Sequence, residues 1–445
     1  MLTALAFLTG FAGLLVLAVV RHPIFGLYAY LASFYVHPPS RWWGQLLPDL
    51  RWALLAAAVT AAALIVHRGR LRPDHPAWHT SLPAALLAAF VLWLWVQNAW
   101  ALDSRLHLDA TIQYTKYLLV FYFVYRLAET PQRMRGILFV HVLGCAYLAL
   151  LARYADNYVD GRLNGVGGPG IDDANSLGMF LGTGVAVAGT LALAERGWRR
   201  AVAVVAGAII LNGLILTASR GAFLGVLAAA LVALLLKPRQ YRKLFWVFAA
   251  VGAIGAVSLM DQRFIDRMSS ITTAVERTEE IDDSAESRWA LKEAQLRMFA
   301  AHPFGAGHKG TAVLSPQYLD RKWLTFRAGE DESQAARASH NTFLTLLVEQ
   351  GVFGALFYLL LVLWGFRAGL QLKRASGISA DPRPVAYGLA SLSALAVVLV
   401  AGQFTDYLMA EVQIWMAAIL VASLRALALP ARAEVAQVAS AVLRA

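Results

Sequence analysis

His340 stands in Ala338-Ser339-His340-Asn341-Thr342, where a long polar stretch ends and an apolar run of membrane-spanning length begins. Ser339 or Asn341 is suited to cap the helix that starts there, since either side chain can accept from the free N–H groups of a first turn. A helix N-terminus carries partial positive charge and disfavours an imidazolium. A neutral imidazole at a boundary between water and membrane can take a proton from an incoming hydroxyl. Two arginines stand in comparable settings. Arg220, in Thr217-Ala218-Ser219-Arg220-Gly221-Ala222, sits where one apolar run ends and the next starts, with Ser219 as the expected cap. Arg288, in Glu286-Ser287-Arg288-Trp289, falls in the first turn of a predicted helix within the polar stretch. Backbone N–H groups and the helix dipole draw anions to such places. Two arginines aimed at one pyrophosphate would each add charge-assisted bonds of roughly 1.5–3 kcal/mol. Singly, each residue has a plainer reading: a histidine hydrating a helix end, an arginine reaching lipid headgroups, a solvent-facing helix charge.

The elements that must position these residues are membrane helices. Of the 445 residues, 59% are hydrophobic and 15% charged, the composition of a polytopic membrane protein. The formal charge of +11 sits mostly in short basic loops between apolar runs. It therefore reports topology and not a nucleic-acid partner. The single cysteine, Cys145, lies inside an apolar run, so neither an intramolecular disulfide nor a cysteine metal site is available. The first apolar run has no basic stretch before it and reads as a retained helix, not a cleaved leader.

Apolar runs fall at about 2–20, 24–37, 51–66, 82–100, 111–128, 136–153, 174–194, 201–217, 220–236, 243–260, 342–366, 385–402 and 407–427. Alternate connections carry the basic residues: Arg68, Arg70 and Arg72; Arg126, Arg133 and Arg135; Arg196, Arg199 and Arg200; Lys237, Arg239, Arg242 and Lys243; Arg367, Lys373, Arg374 and Arg383. These connections are expected in the cytoplasm, and the intervening ones, including 261–340, outside. The pattern gives an all-α chain of twelve or thirteen crossings. The number depends on whether the first run and the short aromatic run 24–37, bounded by His22-Pro23 and His37-Pro38-Pro39, both span. Three regions follow: membrane helices over 1–260, an outward polar segment over 261–340, and membrane helices with a short tail over 341–445.

Within the polar segment, Asp283 three residues before Glu286 and Pro303 beyond Ala301 predict a helix over about 284–301. Trp289, Leu296 and Phe299 supply its expected apolar face. The run Glu279, Glu280, Asp282 and Asp283 reads as a solvated loop, and Gly305-Ala306-Gly307-His308-Lys309-Gly310 as a mobile turn without phosphate-loop spacing. The segment's histidines, His302, His308 and His340, are not at tight ligand spacing and no Asp-x-Asp pair is present, so no metal or other cofactor is expected.

Taken in order, Ser219-Arg220-Gly221-Ala222, Glu286-Ser287-Arg288, His302-Pro303-Phe304-Gly305-Ala306-Gly307, Ser339-His340-Asn341-Thr342 and Val348-Glu349-Gln350-Gly351-Val352-Phe353-Gly354 resemble the O-antigen ligase superfamily over roughly residues 155–427. That superfamily also contains O-antigen polymerases and bacterial protein O-oligosaccharyltransferases. The resemblance implies a glycosyltransferase using a glycan on undecaprenyl pyrophosphate, working on the periplasmic side of the bacterial inner membrane without metal. It implies that Arg220 and Arg288 hold the pyrophosphate and that His340 is the catalytic base. Arg162 and Asn175 fit a looser part of the pattern as binding residues; the default for Asn175 is the cap of its helix. Glu349, nine residues into its run, could orient Arg220, line a wet cavity or be hydrogen-bonded structurally. Lys116 could touch the donor, with interfacial solvation as its default.

The expected reaction is a single inverting displacement that carries the glycan to lipid A–core oligosaccharide, as in O-antigen ligation for lipopolysaccharide. A polymerase extending the glycan and a transferase to protein Ser/Thr share that mechanism. A transporter of lipid-linked sugar would place polar groups at the midplane in repeated halves, whereas here the ionisable groups gather at one face and no internal repeat is evident.

Overall fold

In the computed structural model, residues 1–72, 75–159, 162–259, 283–324, 335–379 and 381–442 are described. The chain is all-α and polytopic, apart from a two-residue hairpin pair, β1 (Tyr158–Val159) and β2 (Arg162–Leu163). Ten helices precede the polar segment: α1 (Leu2–Val20), α2 (Ile24–Val36), α3 (Trp52–Val66), α4 (Leu82–Gln97), α5 (Ser104–Leu127), α6 (Pro131–Arg153), α7 (Ala174–Ala194), α8 (Trp198–Leu216), α9 (Arg220–Leu236) and α10 (Arg242–Leu259). The segment itself holds α11 (Asp283–Ala301) and α12 (Gly310–Tyr318). Three long helices follow: α13 (Thr342–Ala375), α14 (Arg383–Ala401) and α15 (Val412–Val442). Seven helical runs are long and apolar enough to cross a membrane, and shorter apolar helices stand beside them. The protein is a multi-pass membrane protein.

Contacts between the connections sort into two ends. At the basic end, the Arg72 N–H donates to Glu129 Oε2 at 2.8 Å, Arg126 and Arg133 pair with the same carboxylate, and Tyr387 Oη donates to Glu195 at 2.6 Å. At the opposite end, called the site end below, Arg41 donates to the Val166 carbonyl at 2.8 Å and Trp100 to the Gly305 carbonyl at 3.1 Å. The short helix α2 joins the two ends. His22 just before it approaches Glu129, and His37 just after it packs on Gly168. Of the two first helices, α1 has the length and apolar composition to cross a membrane, whereas α2 has 13 residues.

The core forms around α7 and α14, which pack on each other and on α9. Sixteen of the 21 residues of α7 are buried, while α10 buries none of its side chains and lies at the edge. Small residues allow this proximity, because apolar side chains gain little by leaving lipid and close backbone approach supplies the packing. A methyl group on Gly178 would lie 2.9 Å from both Ser219 Cβ and Thr217 Oγ1.

Local signals set most helix starts. Asp103, Asp173, Ser219 and Asn341 each accept from a first-turn N–H of α5, α7, α9 and α13. The helix expected over 284–301 is present as α11, but it faces differently from the sequence reading. Leu291, Ala294 and Met298 are buried against Ala306, Leu314 and Val348, whereas Trp289 and Leu296 are 70% and 53% exposed. The polar segment thus shares a small core with α13 through Val348. The acidic residues 279–282 lie outside the described residues.

Candidate active site

Three helix starts meet on the connection between α14 and α15. Asn341, the cap of α13, donates from Nδ2 to the Gln403 carbonyl at 3.2 Å. Thr342 donates from its N–H to the Gly402 carbonyl at 2.7 Å and from Oγ1 to the Thr405 carbonyl at 3.0 Å, and its Oγ1 accepts from the Tyr407 N–H. On the other side, Tyr407 Oη donates to the Asn175 carbonyl at 2.8 Å, and Phe404 packs over Gly221. Ser219 Oγ, one residue before Arg220, donates to Asn175 Oδ1 at 3.2 Å. Residues 402–407 therefore hold the start of α13, with exposed His340 before its cap, in register with the starts of α7 and α9. The N–H groups of three helix starts gather around one connection, an arrangement that attracts an anion.

A buried polar layer lies beneath. α13 is broken at Gly351, where φ is 67° and ψ is −163°. Only glycine takes that conformation without strain, and an added Cβ would run into the Pro303–Phe304 backbone. The carbonyls freed by the break find partners elsewhere. Ala306 N–H donates to Val348 O at 2.8 Å, Gly307 N–H and Gln97 Nε2 donate to Glu349 O, and Trp93 Nε1 donates to Gln350 O. The 305–310 turn is thus pinned between α4 and α13, a correction to its reading as a mobile turn. Such carbonyls would otherwise be buried without partners. Beside the break, the Glu349 carboxylate is buried, with Oε2 3.2 Å from His308 Nδ1.

An apolar cavity of about 550 Å³ opens directly below the connection. Leu346, Leu399 and Leu408 line it near the site end, and Leu236, Phe366 and Gly369 line it toward the basic end. Its length along the helices and its almost wholly hydrocarbon wall suit a long lipid chain.

Residues 205–359 match the family model described as O-Antigen ligase. The match supports the resemblance to the O-antigen ligase superfamily. The exopolysaccharide production protein ExoQ of Rhizobium meliloti (strain 1021) is 25% identical over 317 residues, covering 68% of this chain and 69% of that protein. Both similarities support a function of the O-antigen ligase or polymerase type in polysaccharide biosynthesis.

Against the matched stretch, the candidate residues fall unevenly. Arg220, Arg288, His340 and Glu349 lie inside the matched stretch, whereas Lys116, Arg162 and Asn175 precede it. Arg220 and Asn175 come together through Ser219, and both join the His340 side through residues 402–407. Asn175 is not the cap of α7; Asp173 is, accepting from Asn175 N at 2.8 Å, which leaves the Asn175 side chain for Ser219. Arg288 belongs to the first turns of α11, but its side chain falls outside the described residues, as does that of Arg162 in β2. The charged or titratable group beside the Glu349 carboxylate is His308, at 3.2 Å. Lys116 is exposed on α5, twelve residues from its start, and takes no part in the contacts that join the helix starts. Gln403, Thr405 and Tyr407 were not anticipated, although the polar run Gly402-Gln403-Phe404-Thr405-Asp406 between two apolar spans marks the place.

Proposed function

We propose that the protein transfers a glycan from undecaprenyl pyrophosphate to lipid A–core oligosaccharide at the periplasmic face of the bacterial inner membrane. The observation that carries this reading is the 402–407 connection, hydrogen-bonded to Asn341 after His340 and to Asn175 at the start of α7, and packed on Gly221 after Arg220, beside a hydrocarbon-lined cavity. In the proposed reaction an acceptor hydroxyl attacks the anomeric carbon as His340 takes its proton. The bond from that carbon to the pyrophosphate oxygen breaks, and the anomeric configuration inverts. The electron pair leaves with undecaprenyl pyrophosphate, whose growing negative charge Arg220 and Arg288 stabilise. The polyprenyl chain lies in the cavity. Because pyrophosphate is already a good leaving group and guanidinium groups supply the charge, the transfer is proposed to proceed without metal.

The name of the ExoQ relative favours a second reading, in which the acceptor is the growing glycan itself and the product a polysaccharide. The test supplies the purified protein with donor and, separately, lipid A–core, free glycan or a Ser/Thr peptide. Glycosylation of lipid A–core supports ligation. Labelling of the free glycan or the peptide instead replaces it with polymerisation or protein transfer.

A further inference from the structure

Between the cap Asn341 and the break at Gly351, residues 342–350 form about two and a half turns of helix, at 3.6 residues per turn. Its first end follows His340 and its last end carries Glu349. Since Gly351 interrupts the ladder, this short segment is not braced by the remainder of α13. Its placement depends on what holds its two ends. The first end is tied to residues 402–407. The last end meets the 305–310 turn, where the Glu349 carbonyl accepts from Gly307 N–H and the carboxylate meets His308.

His308 is itself held from behind. Its N–H donates to His107 Nδ1 at 3.0 Å, and His107 Nε2 lies 3.0 Å from the Leu94 carbonyl, which fixes His107 as the Nε2–H form. His308 and Glu349 are 8% and 2% exposed. Apart from each other, His308 Nδ1 and Glu349 Oε2 have no polar partner among the described residues. Asp406 and Lys309 act electrostatically on the same place from the connection and from the turn, and Tyr114 faces it from α5.

We propose that His308 is a positioning residue for glycan transfer: paired with Glu349, it fixes the 342–350 segment and so holds His340 toward the acceptor hydroxyl. This rests on the reading of His340 as the base. Nothing in the reaction requires His308 to touch the substrate. The contact is buried, with Nδ1 and Oε2 3.2 Å apart, and small displacements of a base are costly in rate.

The test uses the full chain in lipid nanodiscs, with an undecaprenyl-pyrophosphate-linked oligosaccharide as donor and saturating acceptor. Amide hydrogen exchange over 342–350 is followed on the same samples. His308→Ala should lower kcat by about 10- to 100-fold, leave the donor KM within about two-fold, and speed exchange over 342–350. His308→Gln, whose amide can still donate to the carboxylate, should recover most of both effects. Glu349→Gln should act like His308→Ala, and the two together should be no worse than either alone, as for residues acting as one unit. Unchanged kcat and exchange in His308→Ala would overturn the proposal, as would a raised donor KM with unchanged kcat. Should His308→Ala fail to fold, His308→Gln combined with Glu349→Gln decides the same question in side chains of similar size. Should the unsubstituted protein transfer to no acceptor, the functional reading fails, while the exchange measurement still judges whether His308 holds the segment.

Discussion

Gln295 Nε2 donates to Ser339 Oγ at 2.9 Å, joining the middle of α11 to the residue before His340. Gln295 is almost fully buried, and Ser339 Oγ in turn donates to the Asn341 carbonyl. The helix that bears Arg288 and the segment that bears His340 are therefore coupled by this side-chain bridge, beside the bond from Arg337 to Ser287 Oγ. Gln295→Ala removes it and opens a gap at a buried position, while the half-buried Ser339 hydroxyl keeps its bonds to the Asn341 backbone. The expected loss of stability is about 0.5–1.5 kcal/mol, read as a lower unfolding midpoint in detergent, with slower transfer at saturating donor. An unchanged midpoint and rate would show that α11 and the His340 segment are placed independently.

Arg220 opens α9 directly after its cap. Arg220→Ala should weaken donor binding by about 10- to 100-fold, the equivalent of roughly 1.5–3 kcal/mol for a charge-assisted hydrogen bond, and transfer should fall with it. Arg220→Lys keeps the charge without the planar fork, so partial recovery is expected if the pyrophosphate is held bidentately. Donor affinity measured on both purified variants is the check. Near-normal affinity in Arg220→Ala would reduce the residue to a headgroup contact.

His340→Ala should separate chemistry from binding. Loss of a general base costs about 10²–10⁴ in rate, whereas the donor remains held by the arginines. His340→Gln can hydrogen-bond but cannot carry the proton, and it should fail equally. Single-turnover transfer and donor affinity, both measured with chelator present, give the answer. Weak donor binding with normal turnover at saturation would make His340 a binding residue.

Asp406 gives a pH dependence with a definite sign. Half-buried in the 402–411 connection, its carboxyl is pushed up to about 6, first by loss of water and then by the charge of Glu349. The Leu408 N–H, donating to Oδ1, opposes the shift. A carboxyl whose folded value lies above its unfolded value of about 3.9 adds stability fully below the unfolded value. That contribution disappears as pH rises toward 6. Asp406→Asn should remove this component, so its unfolding midpoint should change less than that of the unsubstituted protein between pH 4 and pH 7. Parallel midpoint curves for the two proteins would contradict the assignment.

The sequence by itself determined the elements that depend on neighbours along the chain. Apolar runs and alternating basic loops are local properties, and they defined the spans and the two ends. Asp283, Glu286 and Pro303 bounded α11 for the same reason. Which side of a helix is buried was decided only in three dimensions. In a membrane chain lipid and protein interior are equally apolar, and beside the membrane Trp289 and Leu296 satisfied a helical spacing that Leu291, Ala294 and Met298 won by packing on Val348. Capping by Asp173 in place of Asn175 was a choice between adjacent acceptors, made when Ser219 engaged Asn175. The grouping of Asn175, Arg220 and His340 around Tyr407 and Thr342 depends on hydrogen bonds between residues far apart in sequence. So does the His308–Glu349 pair, because the carbonyls freed at Gly351 had to find donors in the 305–310 turn.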